Sequence, residues 1–144
     1  MSKNDQWLQR IDSLNLDVSA YSNHILRHVL LPELLGEEEE SLLYWAGKSL
    51  SRKLQVEDLP TFFEKANWGT LTLEKEKKNE RHYELVAPLM EHERPFSLEC
   101  GFIANWTERQ VEFITEATYE LKKKKPCTCK IIVRWDTKDR AFTE

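Results

Sequence analysis

Apolar residues keep a helical period through the first half of this chain and begin to alternate with polar ones after Gly69, and this change of period restricts the fold more than any other feature. Helices gathered ahead of strands, without regular strand-helix-strand alternation, indicate an α+β fold: N-terminal helices packed on an antiparallel sheet of about four strands. At 144 residues the chain suits one domain with one core, and 1–144 is read as such, with 1–18 as a peripheral helix or tether carrying Trp7, Leu8, Ile11 and Leu14.

Local signals place the helices. Ser19 is a candidate N-cap, and Tyr21, Ile25, Leu26, Val29 and Leu30 follow at helical spacing until Pro32 and Gly36 are expected to end the run. Glu37 to Glu40 could be read as a cation site, but the plainer reading is the positive end of a second helix whose apolar residues run from Leu42 to Leu54, with Lys48, Arg52 and Lys53 toward its negative end. Asp58 and Pro60 open a third, with Leu59, Phe62, Phe63 and Ala66 as its apolar side. Pro95 to Trp106 reads as a later helix, with Gly101 where a neighbour approaches closely.

Two hairpins complete the reading. Leu71 and Leu73 share one strand face, Tyr83, Leu85 and Ala87 another, and the glycine-free stretch Lys75 to Arg81 predicts a loose turn between them. Gln110 to Leu121 fits a helix through Val111, Ile114, Thr118 and Leu121, but its unbroken alternation and β-branched content favour a strand. Lys122 to Lys125 with Pro126 then form the turn, and Cys127 to Trp135 the partner strand.

The charge balance, 21 basic against 25 acidic residues, gives no positive field to gather phosphates, so nucleic acid is not an expected partner. No apolar run approaches the roughly 20 residues a bilayer requires, and the N-terminus lacks a signal-peptide pattern. Three cysteines, an odd number, argue against a disulfide framework, and a cytoplasmic protein with reduced thiols is expected.

Few residues form a chemical constellation. No phosphate-cradling loop, nucleophile elbow or dinucleotide fingerprint is present, which leans against an enzyme. His24 and His28 share the spacing of a helical metal pair, although a surface pair is the plainer reading. Cys127 and Cys129 lie about 6–7 Å apart on one strand face, so with Cys100 and Glu116 they could meet a zinc ion, or they pack as small apolar side chains. Lys122 to Lys125 could touch an acidic partner or simply solvate a turn. The aromatic set Tyr44, Trp45, Phe62, Phe63, Trp68, Tyr83, Phe96, Phe102 and Trp106 either lines an apolar pocket for a small ligand or forms core and dimer packing. Exposure of Tyr44 or Trp45 would favour a homodimer.

The combination Leu43-Tyr44-Trp45-Ala46-Gly47-Lys48, Leu59-Pro60-Thr61-Phe62-Phe63 with Trp68-Gly69-Thr70-Leu71, Leu98-Glu99-Cys100-Gly101-Phe102-Ile103-Ala104 and Val133-Arg134-Trp135-Asp136-Thr137-Lys138-Asp139 resembles the YslB-like family of small uncharacterised proteins from Bacillus-type bacteria. More distantly, the order of elements resembles 4-vinyl-reductase-like domains and Golgi transport-particle subunits, which share a fold with haem nitric-oxide-binding domains. That resemblance implies a domain that binds a small apolar ligand or dimerises. Some such relatives hold zinc; Cys100, Glu116 and Cys129 match three of their ligand positions, and Tyr119 stands where the other cysteine belongs. Neither His24 nor His28 is placed on a family ligand position, and haem is not carried over.

Overall fold

The computed structural model describes residues 3–14, 16–17, 19–91 and 93–141, with side chains from Trp7 onward. Met1, Ser2, Asn15 and Val18 of the expected N-terminal segment lie outside the described residues. Within that segment, α1 (Lys3–Ser13) packs beside α4 (Glu39–Leu54), where the Lys53 ammonium sits 4.9 Å from the centre of the Trp7 ring.

Ser19 caps the next helical run as its sequence predicts, its hydroxyl accepting from the Ser22 N–H at 3.3 Å. The run is not one amphipathic α-helix. It comprises α2 (Ala20–His24), a π-helix (Ile25–Leu30) and α3 (Leu31–Leu35). Pro32 does not end it, because it falls in the first turn of α3, where a missing N–H costs little; Gly36, at φ 57°, does. The exposed residues recur in pairs, Tyr21 and Ser22, Ile25 and Leu26, Val29 and Leu30, Glu33 and Leu34. A four-residue repeat would drift around an α-helix of 3.6 residues per turn, and the wider π turn, closed by the Leu31 N–H on the Leu26 carbonyl, keeps the stripe on one side.

The crossing of α4 and α6 (Ser97–Val111) centres on two glycines. A Cβ at Gly101 would lie 1.9 Å from the Tyr44 carbonyl oxygen, and one at Gly47 2.1 Å from that of Leu98, so the close approach expected at Gly101 is met from both sides. Helix α6 runs five residues beyond the expected Trp106 end. Asp58 caps α5 (Leu59–Lys65) by accepting from the Thr61 N–H at 3.3 Å.

Strands β1 (Thr70–Lys77), β2 (Glu80–Val86), β3 (Phe113–Lys124) and β4 (Cys127–Arg140) form an antiparallel sheet in the order β1-β2-β4-β3. The α+β architecture with two hairpins is as expected, but both turns are tighter. Lys77 pairs with Glu80, leaving only Lys78 and Asn79 between strands; a bulge at Glu74 and the cross-strand ion pair of Glu76 with Arg81, 3.1 Å, let the charged stretch extend as strand. Lys122 to Lys124 likewise belong to β3, and the turn contracts to Lys125 and Pro126.

The inner sheet face, with Tyr83, Leu85, Ala117, Cys129, Ile131 and Val133, is buried beneath the helices together with Phe63, Phe96, Phe102 and Ile103. Glu84, Glu116, Glu120 and Arg134 alternate to the outer face, as period-two side-chain placement requires.

Candidate functional site

The expected aromatic set divides among separate places. Phe62, Phe63, Trp68 and Phe102 pack on one another: Phe62 stacks on Phe102 at 4.6 Å, and Trp68 meets Phe62, Phe63 and Phe102 edge-on at 5.4, 5.0 and 5.4 Å. Rings at these separations occupy the space between them. Phe96 is fully buried, and the Trp106 indole N–H donates to the Val56 carbonyl at 2.9 Å. Trp45, at 67% exposure, faces away from the core. Phe62 also borders an apolar groove of about 350 Å³ beside Leu8, Ile11, Leu54 and Val56.

Tyr44 stands at a different and larger opening, a groove of about 800 Å³ between the start of α4, the first turn of α6 and strand β3. Glu37, Glu40, Ser41 and Tyr44 form one wall, Ser97 and Cys100 another, and Ala117, Thr118 and Tyr119 the third. The Tyr44 hydroxyl accepts from the Ala117 N–H at 3.1 Å, tying helix to strand, while the Tyr119 hydroxyl donates to Glu40 at 3.3 Å. Burial raises the Tyr44 phenol; burial and then Glu40 push Tyr119 up to about 12, so both remain neutral donors near pH 7. Among the described residues, the lining contains two carboxylates and no lysine, arginine or histidine.

The proposed metal set does not converge. Cys100 and Cys129 are buried, and burial, ahead of the charge of Glu99, pushes both thiols up and keeps them neutral. Cys127 borders another groove, with Lys122 to Lys124, Glu91 and Arg94. Glu116 is exposed on the outer sheet face opposite Arg134, because Thr115 and Ala117 take the inward positions on either side of it. Its expected place beside the cysteines is therefore corrected, and among the described residues no group of three or more His, Cys, Asp and Glu side chains is arranged to hold a metal.

The histidine pair has another use. The His24 and His28 rings meet at 5.2 Å; His24 Nε2 lies 3.4 Å from Glu91, and His28 Nδ1 accepts from Arg94 Nε at 3.3 Å. Arg94 also reaches Glu39 (Nη1 to Oε1, 2.6 Å) and the Arg27 carbonyl, while Arg27 turns inward to Glu99 at 2.6 Å. These contacts fasten the π-helix to α4 and α6, and no spacing in the sequence announces them. The cavity on which His28 opens holds about 40 Å³, far too little for a macrocycle, so a haem does not fit there. No described helix is long and apolar enough to cross a membrane.

Among curated proteins, the chain is 40% identical over 139 residues to "Uncharacterized protein YslB" of Bacillus subtilis (strain 168), covering 90% of this chain and 93% of that one. Among solved structures it is similar to a vinyl-4-reductase family protein from Methanocaldococcus jannaschii, with TM-score 0.65, 15% identity, and coverage of 94% and 96%. It is also similar to an H-NOX variant, with TM-score 0.56, 12% identity, and coverage of 98% and 89%. At those identities the two structures speak for the fold alone. The model for the family described as "Protein of unknown function (DUF2507)" matches residues 20–134, and together with the relative from Bacillus subtilis this establishes that the chain belongs to that family.

Proposed function

We propose that this chain is a non-catalytic interaction domain that pairs with a second copy of itself through the apolar stripe of residues 20–35. One observation carries the reading: this helical segment has its polarity reversed. Arg27 is buried, whereas Tyr21, Ile25, Leu26, Val29, Leu30 and Leu34 are between 44% and 79% exposed. Leu42 and Trp45 add to the exposed apolar surface on α4. These eight side chains, at on the order of 100 Å² each, would supply roughly 800 Å² per copy, about what each partner of a stable pair buries. A stripe with little charge suits like against like, since self-pairing then brings few equal charges together. A lipid surface is a poorer occupant, because the stripe is followed by Glu37 to Glu40 rather than flanked by lysines and arginines.

Light scattering coupled to size exclusion tests the pairing. A dimer is expected at micromolar concentration, and Leu26→Glu with Val29→Glu should give a folded monomer by circular dichroism. A native chain that stays monomeric up to several hundred micromolar overturns the proposal.

A second reading, small-ligand binding, is supported by the groove of about 800 Å³, which falls within the roughly 300–1,000 Å³ range of small-molecule sites. It is independent of the pairing stripe.

A further inference from the structure

We propose that the groove between α4, α6 and β3 binds a small organic ammonium compound that also carries a hydrogen-bonding group; this deepens the ligand-binding reading and rests on it. The groove walls divide into two kinds of chemistry. Its rim offers Glu37 and Glu40 without a basic residue among the lining side chains, and its aromatic surface comes from Tyr44 and Tyr119. An ammonium group against a tyrosine face gains from the ring quadrupole, and a nearby carboxylate adds to that attraction. Lys48 Nζ, 5.0 Å from the centre of the Tyr44 ring, already takes one aromatic face, which leaves the Tyr119 ring as the face for the ligand's ammonium group.

Acidic residues at a helix start would by themselves be explained by the helix dipole. The independent observation is Ser97. Its side chain is more than nine-tenths buried, it lines the groove, and its hydroxyl has no hydrogen-bond partner among the described residues. A buried hydroxyl left unpaired is costly, and a wholly apolar occupant would seal that cost in. An occupant with a polar group near Ser97 and a cation near the rim answers both walls. Tyr119 is pre-positioned for it, held by its hydroxyl to Glu40 and by its ring against Phe96 at 5.6 Å.

The probes are choline, ethanolamine and putrescine, with neohexanol as the uncharged isostere of choline, titrated at low ionic strength and followed by amide chemical shifts and calorimetry. At least one of the three amines is expected to bind with shifts at Tyr44, Ser97 and Tyr119. For choline, replacement by neohexanol should weaken binding about tenfold or more, the Glu37→Gln, Glu40→Gln double variant about tenfold, and Ser97→Ala about fivefold. Tyr119→Phe should retain affinity and Tyr119→Leu lose it. If neohexanol binds as tightly as choline, or the charge-neutral double variant binds the amine that fits best unchanged, the cation inference fails while small-ligand binding stands. If none of the four probes binds the groove at millimolar concentration, the cation inference fails and the ligand-binding reading loses its support.

Discussion

His28 accepts a hydrogen bond from Arg94 and feels the charge of Arg27, and its chemistry follows from that position. Burial first, then the charges of Arg27 and Arg94, lower its pKa to about 4, with Glu91 opposing the shift. An unfolded chain would protonate the same ring near 6.5. Between those values the unfolded state takes up a proton that the folded state refuses, so stability is fully present above about pH 6.5 and is lost as pH falls toward about 4. The urea midpoint should therefore drop between about pH 7 and pH 4.5, and His28→Gln, which keeps an acceptor for Arg94, should flatten that slope. An unchanged slope in the variant would sink the assignment. Glu80 acts in a lower window: His82 and Arg134 hold its carboxyl down to about 2, so its contribution is lost only as pH falls below its ordinary value of 4.5. The four-residue spacing of His24 and His28 is legible from sequence, but the acceptor role of His28 is not, because Arg94 comes from 66 positions along the chain. Ser97 leaves no mark in the sequence and Glu40 reads there as part of a helix start, for the same reason: the groove is assembled from three elements, and each residue is ordinary within its own.

Elements fit together most tightly where α4 crosses α6, and there the backbone tolerates no added carbon. Gly101→Ala must displace the Tyr44 carbonyl from 1.9 Å, a backbone atom that cannot swing aside as a side-chain tip would. A loss of about 3 kcal/mol or more is expected, read as a chemical-denaturation midpoint, and Gly47→Ala should behave similarly against Leu98. A near-neutral Gly101→Ala would mean that the two helices can separate without cost. Much of this level was legible beforehand. Ser19 and Asp58 are short-range caps, and Gly101 interrupts an otherwise apolar helix face, so each leaves a local mark. Charged residues do not by themselves mark a turn: Glu76 with Arg81 and the lysines of β3 remain in extended strands, where one or both faces meet water, so the turns are shorter than the charge pattern predicts. The π-helix leaves no comparable mark: periodicity in residues 20–35 shows an apolar side but not which way that side faces, and the answer depends on Arg27 finding Glu99 in a different helix.

For the whole molecule, a reversed helix raises the question of how stability depends on company. The Arg27 to Glu99 pair sits where desolvation offsets much of the Coulomb attraction, so it is a weak source of net stability; its clearer consequence is to set the rotation of residues 20–35 and leave Tyr21, Leu26 and Val29 outward. If a second copy covers those side chains, folding and pairing are linked by mass action, and apparent stability must rise with protein concentration. A thermal midpoint measured across a tenfold range of concentration should then climb by roughly 2–4 °C. The same measurement on the Leu26→Glu, Val29→Glu variant should show no climb, since it has lost the partner but kept the buried Arg27 to Glu99 pair that orients the segment. Whichever amine binds the groove should raise the midpoint of both proteins alike, because that groove is lined by Glu40, Tyr44, Ser97 and Tyr119 and by none of the stripe residues. A concentration-independent midpoint in the native chain would detach folding from pairing, and would place the exposed stripe outside the forces that hold this fold together.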